Sequence, residues 1–145
     1  DEETAIFRNA DPRLKYLGKV SAQEKADALA ACDVFCMPSM SEILPTVYLE
    51  AWTYGRPVVG GRAHGLPELV EGNKAGFAVS QDGNDVAAAL LRLLNDSELR
   101  ERLGAAGKNL VAEKYAVDAV TGQLEALYKN LVAVRHPNKR TALSG

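Results

Sequence analysis

Two glutamates, Glu42 and Glu50, are the residues whose type and spacing point to chemistry in this chain. Glu42 follows an apolar run and is expected in a loop, whereas Glu50 lies inside a helical pattern from Thr46 to Tyr54. On that helix Glu50 would share one narrow polar stripe with Thr46 and Thr53, and the other positions are mostly apolar. A carboxylate on a helix that is buried on most sides needs a partner.

A bound nucleotide could be that partner. Pro45 is suited to the first turn of the helix, where the missing N–H costs nothing, and the unpaired N–H groups of Thr46 and Val47 suit a phosphate. Glu50, about one turn further along, could then accept hydrogen bonds from a ribose, and Glu42 from a second set of hydroxyls. The residues alone leave another interpretation open, in which Glu50 meets only solvent or a neighbouring arginine.

Two longer strings extend this pattern. Residues 33–59 read D-V-F-C-M-P-S-M-S-E-x7-E-A-W-x-x-G-R-P-V-V, and residues 64–79 read H-G-L-P-E-L-V-E-G-N-K-A-G-F-A-V. Together they resemble the donor-binding segment of the GT-B-fold retaining glycosyltransferases (glycosyl transferases group 1), and the resemblance covers residues 14–131. It implies the C-terminal, nucleotide-sugar-binding domain of such an enzyme, truncated on its N-terminal side.

The resemblance also implies roles for individual residues. Glu42 would contact the donor sugar and is the candidate catalytic residue, while Glu50 would bind the ribose hydroxyls. Many members have Gly-x-Gly where this chain has Ile43-Leu44-Pro45, and Pro45 cannot donate an amide. The amide contacts to phosphate are therefore assigned to Leu44 and Thr46. The predicted donor-binding set is Ser39, Glu42, Leu44, Thr46, Val47 and Glu50, and the predicted base-binding loop is Gly18, Lys19 and Val20.

The function implied by the resemblance is transfer of a hexosyl group from a nucleotide-diphosphate sugar, such as a UDP- or GDP-hexose, to an acceptor hydroxyl. No cofactor and no metal are expected. The acceptor-binding domain and the basic G-x-x-x-K-G-type segment that neutralises the donor diphosphate have no counterpart in this sequence, so the chain is predicted to be inactive alone. Two alternatives remain: part of a nucleotide-sugar 2-epimerase-like isomerase, and a non-catalytic interaction module.

The composition of the chain and the motifs that it lacks argue against several other classes of protein. The 145 residues suit a single domain with a real core, and the net charge of −2 lacks the basic footprint of a nucleic-acid-binding protein. The sequence has no apolar run of membrane-spanning length and no signal-peptide layout, which predicts a cytoplasmic protein. Cys32 and Cys36 lie in or beside an apolar run and are predicted to be buried free thiols. No dinucleotide-binding or P-loop motif is present.

The chain is expected to be α/β: a Rossmann-like half of a GT-B fold with three to four parallel strands, flanking helices and a helical C-terminal region. Residues 14–134 form this domain, between a flexible lead-in (1–13) and a disordered tail (135–145). The predicted strands are Leu14–Leu17, Val34–Met37 (central and buried), Pro57–Gly60 and Gly76–Val79. The predicted helices run from Ser21 to Ala31, from Pro45 to Tyr54, from Gly65 to Glu71, from Asn84 or Asp85, from near Asp96, and from Val117 to Val134.

The first predicted strand and the last two predicted helices carry further expectations. In the family's sheet order the Leu14–Leu17 strand would lie two strands away from Val34–Met37, so it must remain in solvent, join a rearranged edge or pair with a second copy. A homodimer through the exposed sheet edge is therefore possible. In the C-terminal helices, apolar stripes are predicted to face inward: Leu99, Leu103, Ala106 and Leu110 in one, and Val120, Leu124, Leu127 and Leu131 in the last.

Overall fold

The computed structural model of the chain describes residues 11–135. Apart from Arg135, which ends the last helix, the predicted tail (135–145) lies outside this range, as does most of the lead-in (1–13). In chain order the elements are α1 (Ala22–Ala31), β1 (Phe35–Met37), α2 (Thr46–Thr53), β2 (Val58–Gly61), α3 (Leu66–Val70), β3 (Gly76–Val79), α4 (Gly83–Asn95), α5 (Ser97–Leu110), a π-helical turn (Val111–Tyr115) and α6 (Val117–Arg135).

The three strands form one parallel sheet in the order β1-β2-β3. Phe35 lies opposite Val58 in one pair, and Val58 lies opposite Gly76 in the other. All four residues of β2 are buried, as expected for the middle strand of a sheet with helices on its faces. The predicted α/β class and the parallel sheet are therefore confirmed.

The predicted strand Leu14–Leu17 is wrong, because this segment forms no strand in the structure. Leu14, Tyr16 and Leu17 are each half exposed or more. A strand needs a neighbour to satisfy its backbone groups, and no strand of residues 11–135 lies beyond β1 to supply one. Within one copy of the chain this segment is exposed to solvent, and its pairing with a second copy stays a prediction.

Two other expectations, on the position of β1 in the sheet and on the burial of the cysteines, are also corrected. The strand that begins at Phe35 is an edge strand and not a central buried one, and Cys36 on it is exposed. Cys32, which follows α1, is half-buried, and burial raises the pKa of its thiol. Both thiols are free, as predicted, but neither is fully buried.

Helix starts follow their local signals. At α1, whose start near Ser21 was predicted, the amide of Glu24 donates to Ser21 Oγ at 3.2 Å and the amide of Ser21 donates to Glu24 Oε2 at 2.8 Å, which is a capping box. Helix α5 begins near Asp96 as predicted, and Asp96 is its N-cap, accepting a hydrogen bond from the amide of Leu99 at 2.8 Å. Helix α4 begins slightly earlier than predicted, because Asp82 is its N-cap.

The core is built around Trp52 of α2, which is completely buried. Its indole Nε1 donates to the carbonyl of Ala75 at 2.9 Å, and its ring meets the edge of Tyr48 with 6.2 Å between centroids. Gly107 of α5 lies directly against this indole, since a Cβ at that position would be only 2.2 Å from the Trp52 ring. The backbone of α5 is thus pressed onto α2, and α2 is fixed beside the sheet.

Helix α5 and helix α6 differ in what covers them. In α5 the stripe faces inward as predicted, with Leu99, Leu103 and Leu110 buried. In α6 the prediction is wrong, because Leu124, Leu127 and Leu131 are 47%, 53% and 56% exposed and Val120 is exposed as well. The helix itself forms, but nothing within residues 11–135 covers its apolar stripe.

Candidate functional site

A cleft of about 640 Å³ opens at the carboxyl ends of β1 and β2. The loop after β1 supplies most of its wall, including Glu42 and Leu44, and the segment after β2 adds Ala63 and His64. This is the position expected for a ligand site in an open parallel sheet. The structure therefore brings Glu42 and His64 to one cleft, and leaves Glu42 half-buried there.

Main-chain contacts hold the loop that carries Glu42. The amide of Ser39 donates to the carbonyl of Met37 at 2.8 Å, which turns the chain sharply as β1 ends. Gly61 at the end of β2 permits this turn, because a Cβ there would lie 1.9 Å from the carbonyl oxygen of Ser39. The side chain of Gln81 supports the loop from the other side by donating to the carbonyl of Pro38 at 2.7 Å.

Ser39 lines a second, smaller cleft beside the first, of about 290 Å³. Met40 and Ala63 line both clefts, so the two are contiguous. The smaller cleft also contains Arg62, whose Nη2 lies 3.8 Å from Glu71 Oε1. Ser39 and Glu42, both predicted for the donor site, thus open onto adjoining parts of one depression.

Helix α2 begins without a side-chain cap. Its N-cap residue is Pro45, and the first backbone hydrogen bond runs from the amide of Tyr48 to the carbonyl of Pro45 at 2.9 Å. The amides of Thr46 and Val47 therefore have no partner within the helix. Leu44, immediately before this helix start, lines the main cleft. The arrangement offers an anion two free N–H groups and the positive end of a helix dipole.

Glu50 meets a lysine. The ammonium of Lys25, on α1, donates to Glu50 Oε1 at 2.8 Å and lies 2.8 Å from Oε2 as well. Oε2 is shielded from solvent and accepts no hydrogen bond of acceptable geometry. Glu50 is absent from the lining of the cleft that contains Glu42, so the structure does not place the two glutamates in one pocket. This pairing is close to the interpretation in which Glu50 meets only solvent or a neighbouring arginine, with lysine in place of arginine.

The loop predicted to contact a base lies immediately before α1. Gly18 has a φ of +64°, a left-handed conformation that favours glycine, and it turns the chain towards the cap residue Ser21. Gly18 and Lys19 are exposed and Val20 is half-buried. These residues lie outside both clefts, and their role in binding a base stays a prediction.

Tyr48 joins the site to the core. Its hydroxyl donates to the carbonyl of Met37 at 2.6 Å, just below the loop that carries Glu42. Burial raises the pKa of the Tyr48 phenol, the backbone of Gly61 lowers it in part, and the negative charge of Glu42 raises it further. The phenol therefore stays protonated and keeps the start of the loop attached to α2.

Within residues 11–135 no cluster of three or more His, Cys, Asp or Glu side chains has the arrangement of a metal site. In the same part of the chain, no helix is long and apolar enough to cross a membrane.

Comparison with known proteins gives the family. Residues 1–96 match the family model described as Glycosyl transferases group 1. A sulfoquinovosyl transferase of Arabidopsis thaliana is 39% identical over 113 residues, which are 75% of this chain and 22% of that protein. The MMP alpha-(1->4)-mannosyltransferase of Mycolicibacterium hassiacum is 34% identical over 116 residues, 79% of this chain and 28% of that protein. The chain thus spans less than a third of the length of these relatives.

Solved structures agree on the fold. Sucrose-phosphate synthase from Thermosynechococcus elongatus superimposes with a TM-score of 0.76 and 29% identity, over 92% of this chain and 34% of that one. The Anabaena protein HepE, solved in complex with UDP and glucose, gives a TM-score of 0.72 over 89% of this chain and 35% of that one. HepE is 22% identical, so this second likeness concerns the fold alone. The chain belongs to the glycosyl transferases group 1 family, and its described part has the Rossmann-like architecture of a GT-B glycosyltransferase domain.

Proposed function

We propose that this chain forms the nucleotide-sugar-binding part of a retaining glycosyltransferase, which moves a hexosyl group from a nucleoside diphosphate to an acceptor hydroxyl. The observation that carries the proposal is the cleft at the carboxyl edge of the sheet, which is lined by Glu42 and by Leu44, the residue immediately before the N-cap of α2. The presence of UDP and glucose in the structure of HepE, which shares this fold, supports a ligand of that chemistry.

In this proposal the donor sugar occupies the main cleft and Glu42 accepts hydrogen bonds from its hydroxyls. The diphosphate lies at the start of α2, against the amides of Leu44, Thr46 and Val47. The helix dipole and these amides stabilise the negative charge that develops as the bond to the sugar breaks. The acceptor oxygen bonds to the sugar on the face from which the diphosphate leaves, and the proton of the acceptor hydroxyl passes to the leaving diphosphate, so the anomeric configuration is retained.

We further propose that the chain alone binds nucleotide without catalysing transfer. The cleft itself contains only one residue that can become a cation, His64, and Arg62 in the adjoining cleft lies 3.8 Å from a carboxylate. A leaving diphosphate needs more positive charge than this. The further cations would come from a basic segment of the G-x-x-x-K-G type, and the acceptor site would come from an acceptor-binding domain, either in the same protein or in a separate chain.

Nucleotide titration by NMR tests the binding part of the proposal. UDP, GDP and ADP, each alone and as the sugar conjugate, are added to the 145-residue chain while the amides of Thr46 and Val47 are observed. One nucleotide should shift these amides, and Glu50→Ala should weaken that response. For the sugar conjugate, Glu42→Gln should weaken binding beyond its effect on the free nucleotide, because Glu42 contacts only the sugar.

A matched control is Glu101→Ala, which removes an exposed carboxylate on α5 that lines neither cleft. This variant should bind as the wild type does. If no nucleotide at millimolar concentration shifts any amide of a folded sample, the proposed donor site is wrong.

A second copy of the chain is also a proposed partner. The outer edge of β1 pairs with no other strand of residues 11–135, and such an edge favours pairing between chains. Light scattering at high protein concentration should give a mass above that of the monomer. A monomeric mass across the whole concentration range would contradict this proposal and leave the donor site unaffected.

A further inference from the structure

A cavity of about 380 Å³ lies at the amino end of β3, away from the clefts described above. Gly76 and Phe77, the first two residues of β3, line one side of it, and buried leucines of α5 line another. In a parallel sheet the amino and carboxyl ends of the strands lie at opposite edges. The cavity accordingly shares no lining residue with the clefts that contain Glu42 and Ser39, so the proposed donor site does not account for it.

A smaller cavity of about 230 Å³ continues from the first along the outer edge of β3, towards α4. Glu71, Phe77 and Arg92 line both cavities, so the two form one groove, which we call the edge groove. Its floor is largely apolar, because Phe77 is half-buried and Leu99 and Leu103 of α5 are buried. The edge groove therefore has the size and the apolar lining of a site for a small organic molecule.

Three cationic side chains line the edge groove: Lys74, Arg92 and Arg102. The guanidinium of Arg92 lies 4.9 Å from the centre of the Phe77 ring, which holds it over the apolar floor. Within residues 11–135 none of the three side chains pairs with a carboxylate or donates a hydrogen bond. Among the described residues that line the groove Glu71 is the one carboxylate, so three positive charges face one negative charge. This excess of two positive charges, in a chain whose net charge is −2, favours an anionic ligand.

Lys74 also has an unusual backbone conformation. Its φ of +55° makes it the one residue other than glycine with a positive φ within residues 11–135. This left-handed region is unfavourable for a residue with a long side chain, and glycine or asparagine is commoner there. A glycine would fit the turn with less strain but would remove one of the three cations. A strained residue at a cavity motivates a functional hypothesis for its side chain.

The hydrogen bonds of β3 argue against an extended peptide as the ligand. A peptide that added a strand to the outer edge of β3 would pair with its free backbone groups. The amide of Ala78 already donates to Glu71 Oε1 at 3.2 Å, so such a peptide would have to displace this carboxylate. A ligand that lies on the apolar floor and places its charge among the cations leaves that hydrogen bond intact.

We propose that the edge groove is a second ligand site, which binds a phosphate monoester of an aliphatic group. Lys74, Arg92 and Arg102 bind the phosphate, and the aliphatic group lies on Phe77 and the α5 leucines. The excess of two positive charges matches the double negative charge of a phosphate monoester better than the single charge of a carboxylate. A free aliphatic phosphate and the phosphate of phosphatidic acid share this chemistry. The site does not depend on the proposed donor function.

The test is an NMR titration of the 145-residue chain with hexyl phosphate while the amides of Gly76 and Phe77 are observed. These amides should shift, and inorganic phosphate should bind about ten-fold more weakly or less, because it has no aliphatic group to bury. Arg102→Glu should lower the affinity for hexyl phosphate at least about ten-fold, since it replaces an attraction with a repulsion. Arg102→Lys, which keeps the charge, should retain most of the affinity.

Lys108→Glu is the matched control, because Lys108 is an exposed cation of the same helix that does not line the edge groove. It should bind hexyl phosphate as the wild type does. Circular dichroism checks that both charge reversals leave the chain folded, as expected for exposed side chains without a partner within residues 11–135.

Sedimentation with vesicles distinguishes the two sources of the phosphate. The vesicles contain phosphatidylcholine alone or with phosphatidic acid. If phosphatidic acid makes the wild-type chain sediment and Arg102→Glu prevents this, the ligand is a lipid phosphate. If hexyl phosphate binds in the edge groove but neither kind of vesicle carries the chain down, the ligand is a free molecule.

Three results would overturn the inference. If hexyl phosphate shifts the amides of Thr46 and Val47 and not those of Gly76 and Phe77, the phosphate occupies the start of α2. If inorganic phosphate binds as tightly as hexyl phosphate, or Lys108→Glu weakens binding as much as Arg102→Glu, only the general surface charge attracts the anion. If hexyl phosphate at millimolar concentration shifts no amide of a folded sample, the three cations are merely solvated and the groove binds no such ligand.

Discussion

Helix α5 and helix α6 carry similar amphipathic patterns and meet opposite surroundings. Leu99 and Leu103 of α5 pack in a cluster with the sheet and α4, and Leu110 packs in the cluster of α2, whereas the leucines of α6 are about half exposed. The glycines of the two helices differ in the same way: Gly107 of α5 touches the Trp52 ring, whereas a Cβ at Gly122 of α6 would meet nothing within 4 Å. A helical pattern therefore specifies the helix and its apolar stripe, but not the surface that covers the stripe.

The largest effect should come from truncating a leucine of α5. Leu103→Ala is expected to lower the free energy of unfolding by about 2–5 kcal/mol, because it removes a buried side chain and leaves a cavity. Leu127→Ala in α6 should change it by less than about 0.5 kcal/mol, as at most surface positions. Urea denaturation measures both. If both variants lose the same free energy of unfolding, the apolar stripe of α6 is covered in solution, and the contrast between α5 and α6 disappears.

The glycines give the second comparison. Gly107→Ala places a methyl group against the Trp52 ring and should destabilise the chain by about 1–3 kcal/mol, the usual cost of overpacking. Gly122→Ala meets open space on a helix and should stabilise it by up to about 1 kcal/mol. The two substitutions are chemically identical, so any difference between them reports the surroundings of the two glycines. The midpoint of thermal unfolding should fall for Gly107→Ala and rise for Gly122→Ala. A shift of the same sign in both would contradict the packing described for α5.

The third comparison is pH dependence. The folded-state pKa of Tyr48 is raised by burial, so the folded chain resists ionisation of this phenol while the unfolded chain ionises at about pH 10. The contribution of Tyr48 to stability is therefore fully present below about pH 10 and is lost as the pH rises above it. Unfolding measured from about pH 8 to about pH 11 should show this loss in the wild type and a smaller loss in Tyr48→Phe.

Tyr128→Phe is the matched control, since Tyr128 lies on the exposed part of α6. It should leave the pH profile of the wild type unchanged. If Tyr48→Phe and Tyr128→Phe give the same pH profile, the buried phenol of Tyr48 is not the group that causes the loss of stability at high pH.

Much of the fold was predictable because its signals are local. The capping box of Ser21 and Glu24 marks the start of α1, and the apolar runs before Gly61 and after Gly76 mark strands of a buried parallel sheet. The cleft with Glu42 was predictable for a related reason, since parallel strands bring the loops at their carboxyl ends together.

The larger errors concern packing or pairing partners that are distant in sequence, which local patterns do not indicate. Leu14–Leu17 has the sequence of a strand and no neighbouring strand to pair with, and the stripe of α6 has no covering surface within residues 11–135. The partner of Glu50 lies 25 positions away on another helix, and nothing in the spacing of the two glutamates indicates Lys25. The π-helical turn at Val111–Tyr115 likewise has no signal in the apolar periodicity.

The burial of Trp52 has a practical consequence, because the chain contains a single tryptophan. Its indole is fully enclosed, hydrogen-bonded to Ala75 and pressed against Gly107, so its fluorescence spectrum should shift to longer wavelength when α2 separates from α5. Unravelling of α6 alone should leave that emission unchanged and reduce only the helical circular dichroism. The protein thus carries its own optical probe, one that distinguishes opening of the core from loss of the last helix.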